Sequence, residues 1–306
     1  MNNLQIISSL KENMPKSIAT IGYGSGVFKQ VGYDKDEKPD KDVILIVDDF
    51  KQFLIDDYEM NPQHFSKDFN KKALYKKREK SNFYSNVGCL KLYNDNIHFK
   101  VMIISKAALE YDLATWKYFG MAGRLTKPIL YQNIPEELEN AIKQNRQSIL
   151  ITALLLNEEE TLSKIDLYNT ISKITYMYDF RTNFHAEKKT KANDIVGGAL
   201  NFFEKEYGQN PILNQMDDEH VYNSHPIELI STLPTNLKNT IYSKLNKKDE
   251  EITEEDLTKI KKIIENYFKK TNFPNSIRLA LASGSILGLK GSAKHVLQKF
   301  KKSMKK

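Results

Sequence analysis

The sequence predicts an α/β (α+β) protein in which a mixed N-terminal part is followed by mostly helical ones. Three observations carry this reading. Over the first 130 or so residues, short β-branched runs alternate with helical patterns around a glycine turn; from Pro135 onward, apolar residues recur with a helical period instead. The third observation is charge: the net +7 is concentrated at one end, because residues 290–306 hold seven lysines and no acid, leaving the rest of the chain balanced. At 306 residues the chain exceeds what one hydrophobic core usually serves, and these shifts divide it at residues 1–134, 135–246 and 247–306. A hydrophobic content of 40% is ordinary for a globular chain and excludes a wholly disordered or fibrous one.

The elements follow in order. Residues 17–22 (SIATIG) read as a short buried strand entering a glycine turn, and 42–49 (DVILIVDD) as a β-branched strand. Residues 50–58 (FKQFLIDDY) read as the next helix, for which Asp48 and Asp49 supply a cap. Residues 89–93 and 97–105 suggest a hairpin around Asn94-Asp95-Asn96. Lys106 to Phe119 reads as a helix capped by Ser105. Helices are then expected over 135–156, 158–176, 189–206 and 235–246. After the charged connector 247–255, Thr253 and Asp256 open a helix with Leu257, Ile260, Ile264, Tyr267 and Phe268 inward.

Several classes of function are disfavoured. The longest apolar stretch, Ile149 to Leu156, is far below the roughly 20 residues a spanning helix needs. The opening residues read as neither a secretory signal nor an Arg-rich mitochondrial presequence. The single cysteine, Cys89, offers no intramolecular disulfide and no cysteine-based zinc site, and the six histidines contain no HExxH. As a helix, the lysine-rich tail would align Leu289, Ala293, Val296, Leu297, Phe300 and Met304 on one stripe. Such a basic amphipathic segment suits an anionic membrane surface or docking on the body. RNA is less favoured, since aromatic stacking platforms are almost absent there.

Gly22-Tyr23-Gly24-Ser25-Gly26 follows a strand, the position from which glycine-rich turns let backbone amides approach phosphate oxygens. The dinucleotide fingerprint fails at Val27, and no Gly-Lys-Ser/Thr follows for a Walker A loop. A Gly-Ser turn leading to a second strand that bears an acid is the order used by polymerase-β-like nucleotidyltransferases. On that strand Asp42 and Ile44 share a face about 7 Å apart, whereas Asp48 lies roughly 20 Å from Asp42 and cannot share a metal with it. Asp40-Lys41-Asp42 has the two-carboxylate spacing, although Asp40 follows a proline.

These pieces resemble the Tam-type CDP-diacylglycerol synthases (phosphatidate cytidylyltransferases), the mitochondrial translocator assembly and maintenance proteins and their bacterial relatives. The likeness runs through Tyr23 to Gln30, Asp42 to Asp49, Asn61-Pro62-Gln63-His64-Phe65-Ser66 and Lys100 to Ser105. Its most specific part is Asp112-Leu113, Trp116, then Ala122-Gly123-Arg124-Leu125-Thr126-Lys127-Pro128; Tyr178 to Arg181 and Lys189-Thr190-Lys191 follow. Position 188 is a lysine where the family has an aspartate.

The resemblance implies a polymerase-β-like nucleotidyltransferase domain, a mostly helical winged-helix-like domain and a C-terminal amphipathic, membrane-contacting segment. The implied reaction is Mg2+-dependent transfer of a cytidylyl group from CTP to phosphatidic acid. It implies Asp42 and Asp112 as metal ligands and Lys100 as a third catalytic group. Tyr23, Gly24, Ser25, Gly26, Arg124 and Lys127 would bind the nucleotide, and His64, Ser66, Arg181, Lys189 and Lys191 the lipid substrate. An anionic membrane surface is the expected partner through the tail, with no nucleic acid, and the expected location is cytoplasmic, on the inner face of the cell membrane. The rival readings are a nucleotidyltransferase acting on RNA or protein and a non-enzymatic membrane adaptor.

Overall fold

A computed structural model describes residues 2–31, 40–65, 83–94, 97–179 and 189–279. Its centre is a mixed five-stranded sheet: β1 (Ala19–Tyr23), β2 (Lys41–Val47), β3 (Val87–Asn94), β4 (Ile97–Ser105) and β5 (Ile129–Gln132), in the order β3-β4-β2-β1-β5. The β2–β4 pair is parallel, with Asp42 opposite Lys100, and the other pairs are antiparallel. The expected strands and the β3–β4 hairpin are present, although the turn residues 95–96 lie outside the described residues. β5 was not expected: four residues after Pro128 are too few to show a period of two.

Alternation along β2 sends its residues to two cores. Val43, Leu45 and Val47 face one side, covered by Ile7 of α1 (Asn3–Ser9) and by Phe50, Phe53 and Leu54 of α2 (Phe50–Met60). Asp49 caps α2 as expected, accepting from the amides of Lys51 and Gln52 at 2.8 and 2.9 Å. Ile44 and Ile46 face the other side, where α3 (Lys106–Thr115) packs. Ser105 caps α3, but the helix stops before Phe119 because Trp116 adopts a left-handed conformation (φ 54°). Its buried indole donates to Asn145 Oδ1 at 2.7 Å.

Asn145 belongs to the long α5 (Glu136–Leu156), buried at every position from Ser148 to Leu156, and the helix packs on α3 and on the short α4 (Ala122–Leu125). α6 (Lys164–Ile174) starts later than the expected 158, since Ser163 caps it after β6 (Thr161–Ser163). β6 joins β7 (Asn214–Gln215) and β8 (His220–Tyr222) in a small sheet of order β6-β8-β7, whose strands are too short to read from sequence. The expected 189–206 helix breaks into α7 (Lys191–Gly198) and α8 (Leu200–Phe203) at Ala199. α9 (Thr235–Leu245) matches its expectation. α10 (residues 257–279) buries Ile260, Ile264 and Phe268 as expected and packs Phe268 against Trp116 and Phe119 of the first half. The 280–306 tail lies outside the described residues.

Asn145 therefore satisfies two buried groups, the Trp116 indole and the Ala122 carbonyl. Asn145→Ala orphans both and is expected to lower the unfolding free energy by about 3 kcal/mol, read from urea unfolding at an unchanged m value.

Candidate active site

One row of cross-strand neighbours crosses the sheet at the end where β1 leaves it: Lys91, Lys100, Asp42, Tyr23 and Ile129. Residues opposite one another in a ladder share a face, so Lys100, Asp42 and Tyr23 lie side by side. The next row inward holds Cys89, Met102, Ile44, Ile21 and Tyr131, which floors the site with apolar groups and the half-buried thiol.

The glycine turn closes over this row. Gly24 has φ +74°, a conformation glycine adopts without steric cost. A Cβ there would come 2.8 Å from Asp42 Oδ2, and one on Gly26 would come 2.1 Å from the Asp40 carbonyl oxygen. The turn is wound like the start of a helix, with the amides of Val27 and Phe28 donating to the Gly24 carbonyl at 3.1 and 2.9 Å. It is fastened from the far side of the sheet. Lys41 Nζ donates to the Gly26 carbonyl and to Asn3 Oδ1, and Asn3 Nδ2 donates to the Val27 carbonyl. Sequence reasoning missed Lys41 and Asn3. Lys41 lies between two acids, and only strand alternation, which turns it to the opposite face, could have set it apart.

Asp40, just ahead of β2, ion-pairs with Lys100 Nζ at 2.8 Å. Burial works against the Lys100 charge, but the hydrogen bond to Asp40 and the negative charges of Asp42 and Asp40 outweigh it and raise its pKa. Both carboxylates of the Asp40-Lys41-Asp42 segment thus act on one ammonium. Burial, helped by the Asp42 charge, raises the Tyr23 pKa, while Arg124 opposes it by charge and by a hydrogen bond to the tyrosine.

Arg124 reaches this point because α4 is held from every side. Asp112, fully buried on α3, accepts from the amides of Met121 and Ala122 at 2.8 and 3.0 Å. Asn145 grips the Ala122 carbonyl, Arg146 the Leu125 carbonyl and Tyr207 the Thr126 carbonyl. Arg124 itself donates back to the Gly120 carbonyl. Burial raises the Asp112 pKa, and the amides of Ala122, Met121, Phe119 and Tyr118 pull against that without reversing it.

The structure thus brings Tyr23, Gly24, Asp42, Lys100 and Arg124 together, with Ser25 and Gly26 in the turn above. It places Asp112 in the helical layer with its Oδ2 engaged by two amides, rather than on the sheet row with Asp42. Lys127 is turned toward α6, donating to Thr175 Oγ1 at 2.9 Å and lying 4.4 Å from the Tyr176 ring centroid. His64 follows α2 on the opposite face of the sheet, where its Nδ1 lies 3.0 Å from the buried Asp57 carboxylate. Lys191 donates to Gln30 Oε1 at 2.9 Å, at the exit of the glycine turn, and Lys189 is exposed two residues before it. Ser66 and Arg181 lie outside the described residues.

A family model described as "Phosphatidate cytidylyltransferase, mitochondrial" matches residues 4–302. The chain belongs to this family. It is similar to phosphatidate cytidylyltransferases of the same description from Schizosaccharomyces pombe (31% identical over 219 residues, 67% of this chain and 54% of the relative). The Caenorhabditis elegans relative is 30% identical over 268 residues, covering 85% of this chain and 77% of its own length. The human relative is 31% identical over 230 residues, 72% and 48% respectively. The chain thus spans from about half to three quarters of the length of these phosphatidate cytidylyltransferases. The expected location on the inner face of the cell membrane is corrected by this comparison, since each of these relatives is named as mitochondrial.

Because its pKa is raised in the fold, Asp112 holds its proton more tightly folded than unfolded. Its stabilising contribution is complete below the ordinary carboxyl pKa of about 4 and is lost as pH rises through the raised value. Asp112→Asn keeps an amide acceptor and no longer titrates. The wild type is therefore expected to lose stability relative to Asp112→Asn as pH rises above about 4, as urea midpoints across the acid to neutral range would show. Asp112→Ala, which also does not titrate, is expected to cost about 2 kcal/mol near pH 4, and less at higher pH as the wild type loses its own contribution.

Proposed function

We propose that this chain transfers the cytidylyl group of CTP to phosphatidic acid, giving CDP-diacylglycerol and pyrophosphate. The observation that carries this reading is the Lys100–Asp42–Tyr23 row beneath the Gly24–Gly26 turn, in a chain of this family. The mixed sheet with its glycine turn supports a polymerase-β-like nucleotidyltransferase domain over residues 1–134. The small β6-β8-β7 sheet packed with α6 supports a winged-helix-like domain over 135–246. The names of the relatives favour a mitochondrial setting. For residues 247–306, the lysine-rich composition of the tail supports a membrane-contacting end.

Mg2+ is implied by the reaction, and the residues present fit it. Magnesium is usually held by one or two carboxylates together with substrate phosphates rather than by an all-protein cage. Among the described residues, no group of three or more His, Cys, Asp or Glu could hold a metal. Asp40 and Asp42 instead provide a carboxylate pair gathered at Lys100, under a turn so close that a methyl group at Gly24 would press on Asp42. We assign Asp42 and Asp40 as the ligands and Asp112 as a positioning residue, because the amides of Met121 and Ala122 at the start of α4 both donate to its Oδ2. When bound, the ion would neutralise charge developing on the CTP phosphates.

The remaining steps belong to the chain's own groups. Amides and the Ser25 hydroxyl in the glycine turn hold the β- and γ-phosphates. Lys100 and Arg124 carry positive charge to the phosphate that is attacked, Arg124 with a geometry suited to two oxygens. A lipid phosphate oxygen attacks the α-phosphorus, the bond to the bridging oxygen of the β-phosphate breaks, and pyrophosphate leaves. The attacking monoester is mostly dianionic at pH 7, its second pKa being near 6, so no strong general base is required. Lys191, which donates to Gln30 at the turn exit, is the cation assigned here to the incoming lipid phosphate.

The test is conversion of labelled CTP with phosphatidic acid in mixed micelles, with and without Mg2+. Product is expected only with the metal, and Asp42→Ala should reduce turnover by at least about a hundredfold while the protein stays folded. Near-normal turnover in that variant would sink the assignment of Asp42. No lipid product from folded wild type with any of the four nucleotides would sink the reaction itself.

A further inference from the structure

The chain leaves the glycine turn through Lys29, Gln30 and Val31, and this exit is one of the places where the two halves of the molecule meet. Gly197 and Gly198 of α7 allow the contact: a Cβ on Gly198 would fall 2.2 Å from the Lys29 carbonyl oxygen, and one on Gly197 would fall 3.1 Å from Val31 Cγ2. The Val31 amide donates to the Asp194 carbonyl at 3.1 Å. Backbone and glycines therefore hold Val31 in place, and its side chain is not used to fill a core: it is 55% exposed. Leu200, three residues beyond Gly197, is 38% exposed. Lys191 reaches this exit, donating to Gln30 Oε1 at 2.9 Å, and Lys29 and Lys189 are exposed two residues from Val31 and Lys191; among the described residues 189–200, Asp194 is the one acid, and its carboxylate accepts from Thr190 Oγ1 at 3.1 Å.

We infer that the Val31–Leu200 edge is a docking surface for a phosphatidate-bearing bilayer and presents lipid phosphate to the site. The inference rests on the lipid reading of the preceding subsection. A two-chain phosphatidate keeps its acyl chains in the bilayer, so its phosphate reaches Asp42 only if the rim of the site lies against the lipid surface. Exposed aliphatic side chains rimmed by cations are the chemistry that such a surface binds: the apolar groups enter the acyl boundary and the lysines meet anionic headgroups. This edge lies on the body of the protein, five residues past Gly26, and is separate from the lysine-rich tail.

The experiment uses the full chain and the double variant Val31→Asp with Leu200→Asp. Flotation is measured on vesicles of phosphatidylcholine with and without phosphatidate, and turnover on those vesicles and on a short-chain, monomerically dissolved phosphatidate. The double variant is expected to bind phosphatidate vesicles about tenfold more weakly, with vesicle turnover falling in step. Turnover on the dissolved substrate should stay within about twofold of wild type, as for a residue that touches no reacting group. Val31→Ser with Leu200→Ser removes the apolar area without adding charge and should show a smaller loss of the same pattern. Unchanged flotation and vesicle turnover in the double variant overturn the surface. So does an equal loss on dissolved and vesicle substrates, which would place these residues in the chemistry. If the wild type converts neither substrate, it is the lipid-transfer reading that fails, and flotation alone then decides the surface.

Discussion

The site depends on a buried clamp around residues 120–127. This short segment is too brief to hold its own shape, and its polar backbone is buried, so each group needs a partner. Asp112 takes two amides at its start, while Asn145, Arg146 and Tyr207 take carbonyls along it. Those partners come from α3, α5 and the stretch after α8, so the helical half of the chain determines where Arg124 stands over a sheet built by the other half. A carboxylate buried for this purpose is costly when ionised, which is why burial shifts its proton affinity upward even with several amides facing it.

The sheet row follows a complementary logic. Lys100 stands between Asp40 and Asp42, and the ammonium keeps its charge because two carboxylates flank it. Two acids and one base in a small space form a poised set, in which an arriving polyphosphate and cation would redistribute partners rather than create charge from nothing. The glycine turn adds rigidity from outside the row: Lys41 and Asn3 reach it from the other face, so the turn and the acid it covers share one anchor.

Much of this was legible in the sequence. Strand alternation put Asp42 with Ile44 and the order of elements put the glycine turn before the acidic strand, whereas Lys100 was singled out by the family resemblance, and its place beside Asp42 depends on the parallel β2–β4 pairing. The caps Asp49 and Ser105 and the inward stripe of α10 were read from local patterns, and such patterns survive in the fold because local and tertiary preferences agree there. What escaped depends on contacts distant in sequence. The partners of Asp112 are amides nine and ten residues away, which nothing in its own helix announces. His64 sits behind the sheet because α2 packs its Phe53 and Leu54 face against Val43 and Leu45, a choice made by the second core rather than by the motif around His64. β5 through β8, of two to four residues each, are too short for alternation to be read from sequence. The break at Ala199 arises where Gly198 meets the Lys29 carbonyl.

The parallel pairing of β2 with β4 has a consequence for how the protein comes to be folded. In an otherwise antiparallel sheet, it joins Asp42 to Lys100 only after everything between Val47 and Ile97 has been bridged, and closing so long a crossover is entropically expensive before any contact rewards it. A chain emerging from the ribosome acquires the glycine turn and its acid early, and their cationic neighbour much later. Arg124 and the clamp that aims it come later still. The acid pair therefore spends the first part of the molecule's life without its counter-charge, and competence arrives as one of the last events of folding rather than accumulating along the way.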